Sequence, residues 1–170
     1  MIVIRNAQEQ EAPHLAAIGV RAWRVASSAL GLTAILEANA EEAFAGFTQA
    51  SWHLILVAER HGVAVGWAAR ENSGDMISDF WVDPRHHGQG IGGALLEAVE
   101  QQVLAAGFPS IKLESHADNE RALAFFRKHA YGVSWLSMKY ARKLDREVQT
   151  IGLRKQLKDV ELITYGPSFY

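Results

Sequence analysis

Phe80-Trp81-Val82-Asp83-Pro84-Arg85-His86-His87-Gly88-Gln89-Gly90-Ile91-Gly92-Gly93-Ala94-Leu95-Leu96 joins an apolar run, a loop arrested by proline, four closely spaced glycines and the start of an amphipathic segment. Leu95, Val99 and Val103 recur on one helical stripe, and Gly107 and Pro109 end it. The order is strand, loop, glycine-rich turn, helix. Glycine lets the backbone approach a ligand closely, and the first turn of a helix leaves N–H groups unpaired and partly positive. Residues 88–93 therefore suit an anion. Pyrophosphate is the natural occupant, because several converging amides hold phosphate without needing a cationic side chain.

Upstream, Leu54 to Glu59, Val63 to Glu71 and Met76 to Val82 are strand-like runs separated by His61-Gly62 and Asn72-Ser73-Gly74-Asp75. Turns this tight make an antiparallel meander. Earlier still, Ile2 to Arg5 predicts a strand, and Pro13, Leu15, Ile18, Ala22, Val25 and Ala29 predict an amphipathic helix. Leu36 to Gln49 predicts a second helix, with Phe44 and Phe47 on its apolar edge. Downstream, Ser110-Ile111-Lys112-Leu113-Glu114 reads as a buried strand, parallel to the one before because a helix connects them. Asp118 or Asn119 can cap a helix through Leu123, Phe126 and Ala130. Val133 to Lys143 and Val148 to Leu157 then pair around Leu144-Asp145-Arg146-Glu147. The expected architecture is α+β, with a mixed, mostly antiparallel twisted sheet of about seven strands and about four helices. One domain covers residues 1–157, and residues 158–170 form a tail with no clear pattern.

Composition narrows the function. The chain has 170 residues, 49% of them hydrophobic, with 17 Lys plus Arg against 19 Asp plus Glu. A core of that size buries roughly 70% of the unfolded surface and needs no staple. A net charge of −2 supplies no basic excess for nucleic acid. With no cysteine, disulfides, thiolate zinc and a cysteine nucleophile are excluded. No apolar run reaches the ~18 residues that a membrane span requires, and Met1 to Asn6 lacks a signal-peptide core, so a cytoplasmic protein is expected. No G-x-S-x-G, H-E-x-x-H or Walker loop occurs. His86-His87 has no third ligand at a convincing spacing, so no metal site is expected.

The glycines formally match a dinucleotide-binding fingerprint, with Glu114 about 20 residues beyond as the ribose-binding acid. That fold needs repeated parallel units, whereas the preceding strands are antiparallel and Asp83 to His87 delays the first glycine. A dinucleotide-binding protein is thus the remoter alternative.

The segment from Phe80 to Leu96 resembles the acyl-CoA signature of the GNAT N-acetyltransferase superfamily, a strand ending in V-x-P followed by R/Q-x-x-G-x-G/A and a helix. Asn119, then Ala122-Leu123-Ala124-Phe125-Phe126-Arg127-Lys128-His129-Ala130-Tyr131, resembles its second signature, N-x-x-A-x-x-F-Y-x-K-x-G-F. The resemblance implies a GNAT fold whose fourth and fifth strands splay around the pantetheine of acetyl-CoA, the acyl-donor co-substrate. It implies main-chain contacts from Phe80, Trp81 and Val82, a pyrophosphate on His87, Gly88, Gln89, Gly90, Ile91, Gly92 and Gly93, and cofactor contacts from Asn119 and Phe126. The implied reaction is direct attack by a primary amine of a small molecule or peptide. A homodimer fits the family, and the first two helices and last hairpin would select the acceptor.

Three departures matter. His87 stands at the usual Arg or Gln position, although Arg85 gives a literal R-x-x-G-x-G two residues earlier. Phe126 replaces the Tyr that protonates the leaving thiolate, which allows slow turnover, a substitute donor such as water or His129, or a CoA-binding sensor or scaffold without turnover. Ala130 and Tyr131 are packing variations. For the amine's proton, Glu114 at a strand end is the first candidate base and Asp79 the second, with Glu71 behind them. Arg121, Arg127 and Lys128 are candidates for the CoA phosphates.

Overall fold

A computed structural model describes residues 1–158. Seven strands, β1 (Ile2–Asn6), β2 (Leu56–Arg60), β3 (Val63–Arg70), β4 (Met76–Val82), β5 (Ser110–His116), β6 (Gly132–Ala141) and β7 (Arg146–Gln156), form one sheet ordered β1-β2-β3-β4-β5-β7-β6. Four α-helices flank it: α1 (Ala12–Ala26), α2 (Ala34–Ser51), α3 (Ile91–Ala105) and α4 (Glu120–Lys128). All neighbouring strands are antiparallel except β4 and β5, which α3 connects as a crossover. The expected mixed sheet is therefore present. The last turn falls earlier than expected, since Arg146 and Glu147 already pair with Ala141 and Tyr140. The tail expected over residues 158–170 lies outside the described residues apart from Lys158.

Each face of the sheet carries its own core. On one, Ile91, Leu95, Leu96, Val99 and Val103 of α3 and Leu123 and Phe126 of α4 cover Ile77, Ile111 and Leu113. On the other, α1 and α2 cover Val57, Trp67 and Ala69. Pro13 in the first turn of α1 costs no hydrogen bond there. Thr33 caps α2 by accepting from the Leu36 N–H, and Leu36, Ala40, Phe44 and Thr48 follow at four-residue intervals to give its buried stripe. Phe44 sits so close to Gly19 that a Cβ there would lie 2.5 Å from its ring, which is why α1 carries glycine at the crossing. Trp23 and Trp67 are buried core residues, while Trp52, Trp81 and Trp135 are half-buried at its rim.

Candidate active site

Only Met76–Lys112 and Ile77–Leu113 pair between β4 and β5, supported by the Lys112 N–H donating to the Asp75 carbonyl at 3.0 Å. Beyond these the strands separate. A bulge helps: Ala69 faces Asp79 while Arg70 faces Ile77, so Ser78 is an extra residue on β4. It reverses the side-chain alternation, and Ile77, Phe80 and Val82 pack with the α3/α4 core while Trp81 packs with the α1/α2 core. The Asp83 N–H donates to the Val65 carbonyl at 2.9 Å, which sets the phase of the β3–β4 hydrogen bonds. In that phase the main-chain groups of Trp81 point to Trp67, and those of Phe80 and Val82 point into the gap toward β5. Trp81 thus reaches the gap through its side chain rather than its backbone.

The gap opens into a cleft of about 480 Å³. Phe80, Trp81, Val82, His87, Gly88, Gly90, Ile91, Gly92, Gly93, Asn119 and Phe126 all line it. Gln89 does not; its side-chain oxygen accepts from Arg60 instead. Gly88 and Gly90 have φ of 76° and 80°, a left-handed conformation that side chains resist. The first helical bond of α3 runs from the Ala94 N–H to the Gly90 carbonyl at 3.2 Å, so the amides of Ile91, Gly92 and Gly93 precede the ladder. A Cβ on Gly92 would lie 3.1 Å from the Phe125 ring. These free amides, the helix dipole and the narrow glycine floor fit a pyrophosphate. Arg121 and Lys128 of the cleft wall add positive charge, whereas Arg127 is not among the lining residues. Asn119 both lines the cleft and caps α4, its side-chain oxygen accepting from the Ala122 N–H at 3.2 Å.

Side-chain charge on the loop itself is committed elsewhere. Asp83 is buried and accepts from Arg21 at 2.7 Å and Arg85 at 2.8 Å. Burial alone would raise its pKa, but the bonds from Arg85 and Arg21 prevail and hold the carboxyl well below the usual range. Arg85 is thereby tied down beside the loop. His87 donates through Nε2 to the Val82 carbonyl at 3.3 Å, and burial, then Arg121, keeps its pKa below the ordinary histidine value despite that bond.

Among the described residues, no hydroxyl lines the cleft in place of the absent tyrosine. Phe126 is 4% exposed and packs edge-on against Phe80, Phe125 and Tyr131. Tyr131 donates to Glu100 of α3 at 2.9 Å, and burial followed by the Glu100 charge pushes its pKa up, so it is not an acid for the cleft. His129 lines the cleft and donates from Nδ1 to the Phe125 carbonyl at 2.8 Å. A carbonyl can only accept, so Nδ1 holds the proton and Nε2 faces Gly93.

Neither Glu114 nor Asp79 lines the cleft. Glu114 accepts from Lys139 at 2.6 Å and from the Trp135 indole at 3.0 Å. Asp79 accepts from the Trp81 indole and from Ser78, each at 3.1 Å. Both lie near the α1/α2 side of the splay, and so do two groups that sequence reasoning passed over. Lys143 stands 4.7 Å from the Phe44 ring centre and 6.0 Å from that of Trp81. His116 ends β5 with Nδ1 buried and without a hydrogen-bond partner among the described residues. Extending the alternation of Lys112 and Glu114 by two residues would have found His116.

Comparisons with known proteins agree with this geometry. Residues 20–131 match the profile of the Acetyltransferase (GNAT) family. A GCN5-related N-acetyltransferase from Rhodopseudomonas palustris superposes with a TM-score of 0.72 at 22% identity, over 91% of this chain and 95% of that one. The ribosomal-protein-S18-alanine N-acetyltransferase of Escherichia coli gives 0.69 at 21% identity, over 100% and 99%. The PaiA N-acetyltransferase of Thermoplasma acidophilum, solved in complex with coenzyme A, gives 0.68 at 16% identity, over 92% and 99%. A parallel pair that parts after two residues, opening onto a glycine-built helix start, is the feature on which fold and profile converge: the chain belongs to the GNAT acetyltransferase family.

Proposed function

We propose that the protein transfers the acetyl group of acetyl-CoA to a primary amine of a small molecule or peptide, by direct attack and without a covalent enzyme intermediate. One observation supports this most: the β4–β5 gap and the amides at the start of α3 belong to a single cleft. In this reading the amides of Ile91, Gly92 and Gly93, with Arg121 and Lys128, bind the pyrophosphate. The main-chain groups of Phe80 and Val82 align the pantetheine as a strand would align a neighbour. Phe80, Phe125 and Phe126 exclude water from the α3/α4 side. The acceptor enters from the α1/α2 side, between Trp23 to Gln49 and the β6–β7 hairpin. Acetyl-CoA supplies a thioester whose thiol, with a pKa of about 8.5, leaves tolerably near neutral pH without a tyrosine. Asp79 and Glu114 stand near the side from which the amine comes.

Phe126 favours a second reading, a domain that binds CoA as a sensor without turnover. The test is release of free thiol from acetyl-CoA with a panel of small amines and peptide N-termini, by the wild type and by Phe126→Tyr. Acetyl transfer by the wild type, accelerated in the variant, is the expected result. Acetyl-CoA binding with no thiol released from any amine would leave only the sensor reading.

A further inference from the structure

We propose that His116 is the group that takes the proton from the acceptor amine, an inference that rests on the acetyltransferase reading above. Its place is the first reason. The β5–β7 ladder is regular from Ser110–Gln156 to His116–Thr150, so β5 alternates without interruption. Ile111 and Leu113 face the α3/α4 core, which turns Lys112, Glu114 and His116 to the opposite side. The last β4–β5 pair ends at Leu113, three residues before His116, so this residue lies past the paired stretch on the α1/α2 side of the splay, and it is not itself among the residues that line the cleft.

Its bonding is the second reason. The His116 Nδ1 is buried and accepts no hydrogen bond among the described residues, an exception for a buried polar atom that calls for a ligand or water. The expected bases are already engaged: Glu114 by Lys139 and Trp135, Asp79 by Trp81 and Ser78. His87 and His129 each spend a ring nitrogen on a carbonyl, those of Val82 and Phe125. His86 shares the buried Nδ1 without a partner among the described residues but stands in the Pro84–His86 turn at the glycine-loop end of the cleft, so His86→Gln should leave the pH limb described below in place.

Its surroundings are the third. Burial, then the Lys143 ammonium, keeps the imidazole below the ordinary histidine pKa, while Asp118 pulls the other way. A neutral ring at pH 7 is the form that can accept a proton. Lys143 lies against Phe44 of α2 and Trp81 of β4, and its own pKa is lowered by burial against the opposing pull of Asp79. The same cation eases proton loss from an incoming ammonium. An ammonium acceptor gives one proton to Nδ1, its nitrogen bonds the thioester carbon as the C–S bond breaks, and the second amine proton neutralises the thiolate through solvent. His116 then returns its proton to water.

The test is the pH dependence of kcat/KM for the best amine found, in the wild type, His116→Gln, Lys143→Met, Asp118→Asn and Glu114→Gln. In the wild type the rate rises with pH along a limb below pH 6.5, the ordinary histidine value from which His116 is lowered. In His116→Gln the rate at pH 7 drops on the order of 10²-fold and the limb disappears, with KM for acetyl-CoA unchanged. Lys143→Met moves the limb to higher pH, Asp118→Asn moves it lower, and Glu114→Gln leaves it in place. A limb that persists in His116→Gln, that stays fixed in both charge variants, or that vanishes in Glu114→Gln overturns the assignment while acetyl transfer itself stands. A wild type that binds acetyl-CoA and acetylates no amine overturns both readings.

Discussion

Asp83 is the carboxylate on which the glycine loop is hung. It is buried, it directly follows the strand that lines the gap, and Arg21 of α1 and Arg85 of the loop both donate to it. The two arginine side chains are 30% and 64% exposed and stay solvated without it, so Asp83→Asn loses the charge-assisted hydrogen bonds rather than stranding a buried charge, and about 2 kcal/mol is expected to be lost in urea unfolding. The sign with pH follows from its lowered pKa: the unfolded chain takes up the proton more readily, so the contribution is complete above about pH 4 and lost as acid protonates the native carboxyl. Acid titration of stability in the two proteins checks this, and the variant should lack that component. Asp83 was legible in the sequence only as punctuation before Pro84, because its two arginine partners lie 62 and 2 residues away. Gly88 and Gly90 were legible, since a positive φ is a local demand that few residues meet. Phe126 was legible too, because its position within α4 is set by counting from Asn119. Glu114 was read as the end of its strand, but β5 runs on to His116, and the engagement of Glu114 with Lys139 and Trp135 depends on which strand adds next to β5.

That strand is β7, not β6, and β6 forms the edge. The insertion brings Gly152 opposite both Glu114 and Trp135. The Trp135 ring lies flat over Gly152, where a Cβ would fall 1.9 Å from ring atoms, and from there its indole N–H reaches Glu114. Gly152→Ala must therefore displace the ring, an overpacking expected to cost about 2 kcal/mol and to change tryptophan emission. Unchanged stability and emission would contradict this packing. The hairpin pattern predicted both strands, yet hairpin pairing alone does not say which of them meets β5. The β4–β5 divergence was equally invisible to periodicity, because the Ser78 bulge keeps the strand apolar on both faces and only the long-range register reveals the extra residue.

For the whole molecule, net charge says little about ligand affinity, because the charge is local. With −2 overall, the chain still presents Arg121 and Lys128 in the wall of the cleft. Exposed ion pairs are weak, so Arg121→Ala and Lys128→Ala should each raise KM for acetyl-CoA by roughly two- to five-fold. The effect should shrink in high salt, and an increase that ignores ionic strength would count against a phosphate contact. No helix among the described residues is long and apolar enough to cross a membrane. Two cores on opposite faces brace a sheet that is continuous except at one seam, and that seam is where the free amides of α3 and the main chain of β4 meet.

Calorimetric titration of the ligand-free protein with acetyl-CoA, using NAD as the control, addresses that seam most directly. Micromolar one-to-one binding of acetyl-CoA, with no heat from NAD, is the expected result. No binding of acetyl-CoA, or equal binding of NAD, would contradict the assignment of the cleft to an acyl-CoA.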